Sequence, residues 1–369
     1  MRPNRDTVLQ IDLGALAHNY AFLRARLRPG TRFLGVVKAF AYGSEALAIA
    51  RKLETLGADY LAVAFTDEGI HLRENGIQLP ILVLHPQPSG LSELIARCLE
   101  PNLYSRQIFS AFLEAATALG QKEYPVHLKF NTGLNRLGFV EDDLPWLAEQ
   151  LPRGGVLQVR SVFSHLAASD DLGEREFTTG QIARFKALVE ASEKLLPGKP
   201  MRHLLNTSGI LNYPEAQWDM VRSGIGLYGY SNDPEIDRLL RPVARLRTQI
   251  SQMHRVGPGD WVGYNKGYQA AEPRVTATLP IGHADGIGRQ YGRGRGKVFI
   301  GGRVAPIIGN VCMDMTMIDV TGLDCREGDE VLFFGAGHSA EAFAAGAGTI
   351  SYELLAGISQ RVFREIIES

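Results

Sequence analysis

Eight short strand-like runs recur through the first two thirds of the chain, at residues 32–39, 59–65, 80–85, 100–104, 124–130, 158–165, 202–206 and 218–227; the fourth is weak, and most are nearly continuous in Val, Ile, Leu or Phe. Such runs, apolar on both faces, are typical of strands buried in a parallel sheet. Between them, at 45–56, 91–97, 107–119, 144–151 and 179–196, the pattern predicts helices. Gly57, Gly76, Gly120 and Gly180 punctuate these stretches as stops or starts. Eight strand–helix units over about 230 residues predict an α/β fold, a (β/α)8 barrel of the TIM type. Alternation alone also leaves open a doubly wound open sheet.

The last third changes character. Strand-like runs at 243–256, 274–281, 298–300, 303–309, 315–320 and 330–334 follow one another without long helices. Gly301 and Gly302 sit between two such runs and predict a hairpin, and residues 257–260 (GPGD) predict a turn. A short helix is expected at 351–357. The chain therefore divides into a barrel over 14–235 and a mostly β domain over 236–369, with the boundary near 233–241. No internal repeat or low-complexity tract interrupts it.

Composition narrows the function classes. Among 369 residues, 45% are hydrophobic and 21% charged, ordinary for a globular protein with a sizeable core. Lys and Arg number 39 against 40 Asp and Glu, so no global basic field argues for nucleic acid or an anionic membrane. Three cysteines, Cys98, Cys312 and Cys325, form neither a disulfide framework nor a zinc motif. The nine histidines never fall at H-x-H or H-E-x-x-H spacing, so no metal is expected. The first residues lack the apolar stretch of a signal peptide, and no run is long enough to span a membrane. A cytoplasmic setting is expected.

The candidate chemistry lies at predicted strand ends, where barrels build their active sites. Lys38 ends the first barrel strand in FLGVVKAFAYG (33–43). A partly desolvated lysine there has a lowered pKa and can form a Schiff base with an aldehyde; the plainer alternative is a lysine that snorkels to solvent. Lys129 and Arg136 follow another strand in LKFNTGLNRLG (128–138), and an arginine at such a junction suits bidentate binding of a carboxylate or a surface ion pair. His165 ends a further strand and could equally be a satisfied core histidine. NTSG (206–209) and RSGIG (222–226) follow the last two strands, where hydroxyls and glycine amides commonly cradle phosphate. The glycine-rich, basic YGRGRGK (291–297) lacks the P-loop spacing and reads as a mobile loop.

Taken together, VVKAFAYG (36–43), LKFNTGLNRLG (128–138), VRSGIGLYG (221–229), VGY (262–264), PIGHADG (280–286), GNVCMD (309–314), SYE (351–353) and GISQR (357–361) resemble the bacterial alanine racemases, in order along nearly the whole chain. The resemblance implies a fold-type III pyridoxal 5'-phosphate enzyme that interconverts L- and D-alanine for cell-wall peptides and acts as a homodimer with shared active sites. It also places a first strand near 7–13 in the C-terminal domain. Lys38 would carry the cofactor. Tyr42, Thr207 or Ser208, Gly224, Ile225 and Tyr352 would hold its phosphate, Arg222 would face the pyridine nitrogen, and Asn206 would lie beside the ring. Arg136 would bind the substrate carboxylate, and Lys129 matches a position carbamylated in some members. Tyr264 would be the second acid/base group, supplied with the Met313 backbone by the other subunit, with His165 bonded to Tyr264 and Arg222 to His165. Phe40, Ser44, Asn131 and His283 depart from the family pattern. Alternatives are a serine-preferring or broader racemase, or a fold-type III amino-acid decarboxylase.

Overall fold

The computed structural model describes residues 4–231 and 233–369. Strand β1 (Asn4–Asp12) runs directly into a helix, Leu13–Arg24, which the hydrophobic pattern does not predict. Asp12 starts it by accepting hydrogen bonds from the Gly14 and Ala15 amides at 2.8 and 3.0 Å. Gly14 and Asn19 are poor helix formers and blur the periodicity. Asn19 has a tertiary role instead. Its amide donates to the Leu227 and Arg241 carbonyls, and its oxygen accepts from the Arg241 amide.

The barrel is closed by eight parallel strands: β2 (Arg32–Val36), β3 (Tyr60–Val63), β4 (Ile81–Val83), β5 (Glu100–Leu103), β6 (Tyr124–Lys129), β7 (Leu157–Phe163), β8 (Met201–His203) and β9 (Met220–Ser223). Closure is direct, with β2 pairing back onto β9 and Arg32 opposite Met220. The open-sheet alternative is thereby excluded. A helix at Thr66–Glu74, also unpredicted, follows β3; its mean composition is polar and only Thr66, Gly69 and Leu72 are buried. The barrel interior is divided. Leu34, Val36, Tyr60, Ala62, Leu82 and Met220 pack as one apolar cluster. Glu100, His127, Ser161, His203 and Arg222 are buried on the opposite side.

Ten further strands complete the fold: β10 (Ala244–Gln249), β11 (Gln252–Val256), β12 (Trp261–Val262), β13 (Tyr268–Gln269), β14 (Arg274–Leu279), β15 (Lys297–Ile300), β16 (Arg303–Ile308), β17 (Thr316–Asp319), β18 (Glu330–Phe334) and β19 (Val362–Ile367). Nine strands form one sheet in the order β11-β14-β17-β16-β15-β18-β10-β1-β19, while β12 and β13 pair separately. The single run expected at 243–256 is two strands, because the chain turns at residues 250–251 from β18 toward β14. The hairpin at Gly301 and Gly302 forms as its glycines predict, with Ile300 opposite Arg303 and φ of 53° and 79°. β19 and the helix Ala340–Ala345 escape the sequence pattern. The basic 291–297 segment is pinned by its backbone, Arg293 N to Gly309 O at 2.9 Å and Gly294 N to Ile307 O at 2.6 Å. No described helix is long and apolar enough to cross a membrane.

Candidate active site at the mouth of the barrel

A cavity of about 500 Å³ opens at the carboxyl ends of the barrel strands. Lys38 lies on its wall, but not as the last residue of a strand. β2 ends at Val36, and Ala39, Phe40, Ala41 and Tyr42 then turn left-handed, with φ between 53° and 55°. Each such residue costs roughly 1–2 kcal/mol in an L-chain. The Glu68 carboxylate offsets part of this by accepting from the Ala39 amide at 2.6 Å while also holding the Ala64 and Phe65 amides. Gly43 continues the turn at φ 75°, so close to the Leu355 carbonyl that a Cβ would lie 1.9 Å from its oxygen. The Lys38 ammonium is pushed below the ordinary lysine range, first by burial and then by Arg136, with Glu68 opposing.

One end of the cavity suits a phosphate. The Gly224 and Ile225 amides have no acceptor among the described residues. A Cβ on Gly224 would sit 2.2 Å from the Tyr42 hydroxyl, so glycine is what lets hydroxyl and backbone converge. Thr207 Oγ1 bonds Ser223 Oγ at 3.0 Å and accepts from the Gly226 amide at 3.2 Å. Thr207 lines the cavity and Ser208 does not; Ser208 is buried behind it. Tyr352 reaches the same wall from the helix Ser351–Ala356, its ring 6.1 Å from that of Tyr42. Asn206 caps the helix Thr207–Asn212, accepting from Gly209 N at 2.9 Å and from Ser169 Oγ at 2.8 Å.

Arg222 is buried at the cavity floor and touches only neutral acceptors: His203 Nδ1 at 2.7 Å, the Ser164 and Leu204 carbonyls at 2.7 and 2.9 Å, and His165 Nδ1 at 3.2 Å. Burial pushes its guanidinium down to about 9. Burial, then Arg222, holds His165 well below the imidazole range, so it is neutral. With Nδ1 accepting, the His165 hydrogen is on Nε2. Lys129 is pushed to about 8 by burial, then by Arg136, Arg222 and Lys38; its backbone carbonyl accepts from the Phe139 amide at 2.8 Å. Arg136 is exposed on a loop turned by Asn131, whose oxygen accepts from the Gly133 and Asn135 amides. Its side chain also lines the cavity. Four cations thus converge on a space that an anionic ligand would neutralise.

Tyr264 and Met313 do not line this chain's cavity and are 74% and 60% exposed. Tyr264 sits in a short turn whose carbonyl accepts from Asn310 Nδ2 at 2.9 Å. The Met313 loop is held by Arg361, which pairs with Asp285 and Asp314 at 2.6 Å each. Phe40 and His283 are exposed and off the cavity wall. Sequence reasoning missed Phe65 and His85, which line the cavity just beyond β3 and β4. Their strand-end positions were the available signal.

A barrel with a desolvated lysine, free backbone amides and converging cations at its mouth defines a class, the barrel enzymes that hold a phosphate-bearing aldehyde cofactor. Within that class, the chain belongs to the alanine racemase family. Its residues 11–232 match the family's N-terminal domain and residues 243–366 its C-terminal domain. It is 35% identical to an alanine racemase of Desulfovibrio desulfuricans over 99% of both chains. The alanine racemase structure of Clostridium difficile 630 superposes with a TM-score of 0.92 at 34% identity, over 99% of this chain and 97% of that one. That of Bartonella henselae, described with covalently bound pyridoxal phosphate, gives 0.87 at 26% identity, over 99% and 100%. The protein is an isomerase that racemises alanine, and its cofactor is pyridoxal phosphate.

Proposed function

We propose that L- and D-alanine are interconverted by two opposed acid/base groups, Lys38 and Tyr264 of a second copy of the chain, in a homodimer. Residues 14–235 hold the cofactor in this reading, and residues 236–369 present Tyr264 and Met313 to the neighbouring site. The carrying observation is the pairing of a half-buried lysine on the cavity wall with an exposed tyrosine that does not line that cavity on the same chain.

When bound, pyridoxal phosphate withdraws electrons and makes the α-hydrogen of an attached amino acid acidic. Lys38 holds the cofactor, and Tyr42, Thr207, Gly224, Ile225 and Tyr352 receive its phosphate, with Ser208 behind and Asn206 beside the ring. Arg136 binds the substrate carboxylate, aided by the Met313 backbone. Once displaced by the substrate amine, Lys38 Nζ moves a proton at Cα on one face, and Tyr264 Oη serves the other. His165 positions Tyr264 by donating from Nε2. Arg222 would face the cofactor's ring nitrogen as a donor that keeps its proton, which would make the ring a weaker electron sink and favour return of the proton to Cα. Lys129, part neutral near pH 8, is in the form that captures carbon dioxide, and a carbamate there would steady Arg136. We place the reaction in the cytoplasm, where D-alanine feeds cell-wall peptides; the three cysteines are free.

The test uses Tyr264→Phe in deuterated water with L- and D-alanine separately. Deuterium exchange at Cα should persist with one enantiomer and collapse with the other. Equal loss with both would overturn the two-base assignment.

A further inference from the structure

A row of polar side chains crosses the barrel beneath Arg222, where barrels of this type usually pack branched aliphatic residues. Arg222 Nη1 donates to His203 Nδ1 at 2.7 Å. His203 Nε2 lies 2.8 Å from Ser161 Oγ, Ser161 Oγ lies 2.6 Å from His127 Nδ1, and His127 Nε2 lies 2.6 Å from Glu100 Oε2. His127, Ser161 and His203 have no exposed surface, and none of these three lines the cavity. Phe163 stacks on His203 at 4.6 Å, and Tyr60 abuts the edge of His127. The rings are fixed in orientation.

The Arg222 end sets the direction of the bonds at His203. A guanidinium has donors only, so His203 Nδ1 accepts. Neutral His203 then carries its hydrogen on Nε2 and donates to Ser161. A carboxylate has acceptors only, so His127 donates to Glu100 from Nε2. A His127 that carries its one hydrogen on Nε2 presents a bare Nδ1, and the Ser161 hydroxyl is placed to fill it. Serine can join the two because it accepts on one side and donates on the other. The opposite tautomer of His203 would set an N–H against an Arg222 N–H. All direct partners of Arg222 are neutral, so Glu100 is the anion to which this chain connects it, and hydrogen bonds in series polarise one another.

We propose that Glu100, His127 and Ser161 form a positioning relay that fixes the His203 tautomer and thereby keeps Arg222 aimed into the cavity. The proposal rests on the reading above in which Arg222 serves the cofactor's ring nitrogen.

Two readouts test it. The first is histidine 15N NMR of the protein without substrate, which distinguishes the tautomers directly. His203 should be the neutral Nε2–H form, and Ser161→Ala should disturb it. The second is turnover of the holoenzyme. Ser161→Ala should lower kcat roughly tenfold with KM within twofold, the scale of one buried polar group left without its partner. Ser161→Thr, which keeps the hydroxyl, should restore most of it. If Ser161→Ala does not fold, Glu100→Gln, which preserves shape and removes the charge, carries the same two readouts. A His203 with its hydrogen on Nδ1, a Ser161→Ala enzyme within twofold of the parent, or a Ser161→Thr enzyme as slow as Ser161→Ala would each overturn the relay. If the parent enzyme fails to racemise alanine, the functional reading falls, while the NMR result still decides the relay.

Discussion

Lys129 adds a fourth cation to a buried cluster and brings no counter-charge of its own. Its pKa falls to about 8 in the fold against 10.5 unfolded. Between these values the unfolded chain binds more protons, so stability from this group rises with pH across that window, and the full penalty stands below pH 8. The shift corresponds to roughly 3–4 kcal/mol. Lys129→Met should therefore stabilise the cofactor-free protein at pH 7 by about 1–3 kcal/mol, and the gain should shrink as urea unfolding is repeated from pH 8 toward 10.5. A pH-independent gain would assign the effect to packing instead. Single residues of this kind were legible where they stand at or just beyond strand ends, as Lys38, Lys129, His165 and Arg222 do. Glu100, His127 and Ser161 were not, because each is an ordinary polar residue whose partner lies on another strand of the closed barrel.

At the scale of elements, the left-handed turn after β2 is the sharpest departure from the pattern. The apolar run through residue 39 reads as strand, yet the chain leaves the sheet at Val36. Nothing local demands that turn; Glu68 and the helix carrying Leu355 impose it from elsewhere in sequence. The same holds for the helix at Leu13–Arg24, whose Asn19 serves distant carbonyls, and for β19, which lacks a partner until β1 is in place. Most barrel strands, by contrast, were legible because burial on both faces leaves an apolar signature, although β5 (EPNL) and β8 (MRH) carry little of it. Gly43→Ala should lose more than about 3 kcal/mol, since the substitution meets both a positive φ and a backbone oxygen. Denaturant unfolding measures that loss. The variant should also show weakened visible absorbance of lysine-bound cofactor, and so should Lys38→Ala, completely.

The whole molecule makes a prediction that no single site does. If each site draws Lys38 from one copy and Tyr264 from another, Lys38→Ala and Tyr264→Phe chains are separately inactive, yet a mixed dimer contains one intact site. Co-refolding equal amounts should restore activity toward about a quarter of the parent, because half of random dimers are mixed and half of their sites are whole. Absence of any recovery would place both groups in one copy. The sheet has its own consequence. β1 is flanked by β10, antiparallel, and β19, parallel, so the first strand of the chain pairs only with its last third. During synthesis on the ribosome, residues 4–12 must wait, unpaired, while the entire barrel emerges and closes. A nascent chain cut short before residue 244 would release a finished barrel tethered to an orphan strand, a ready target for quality control.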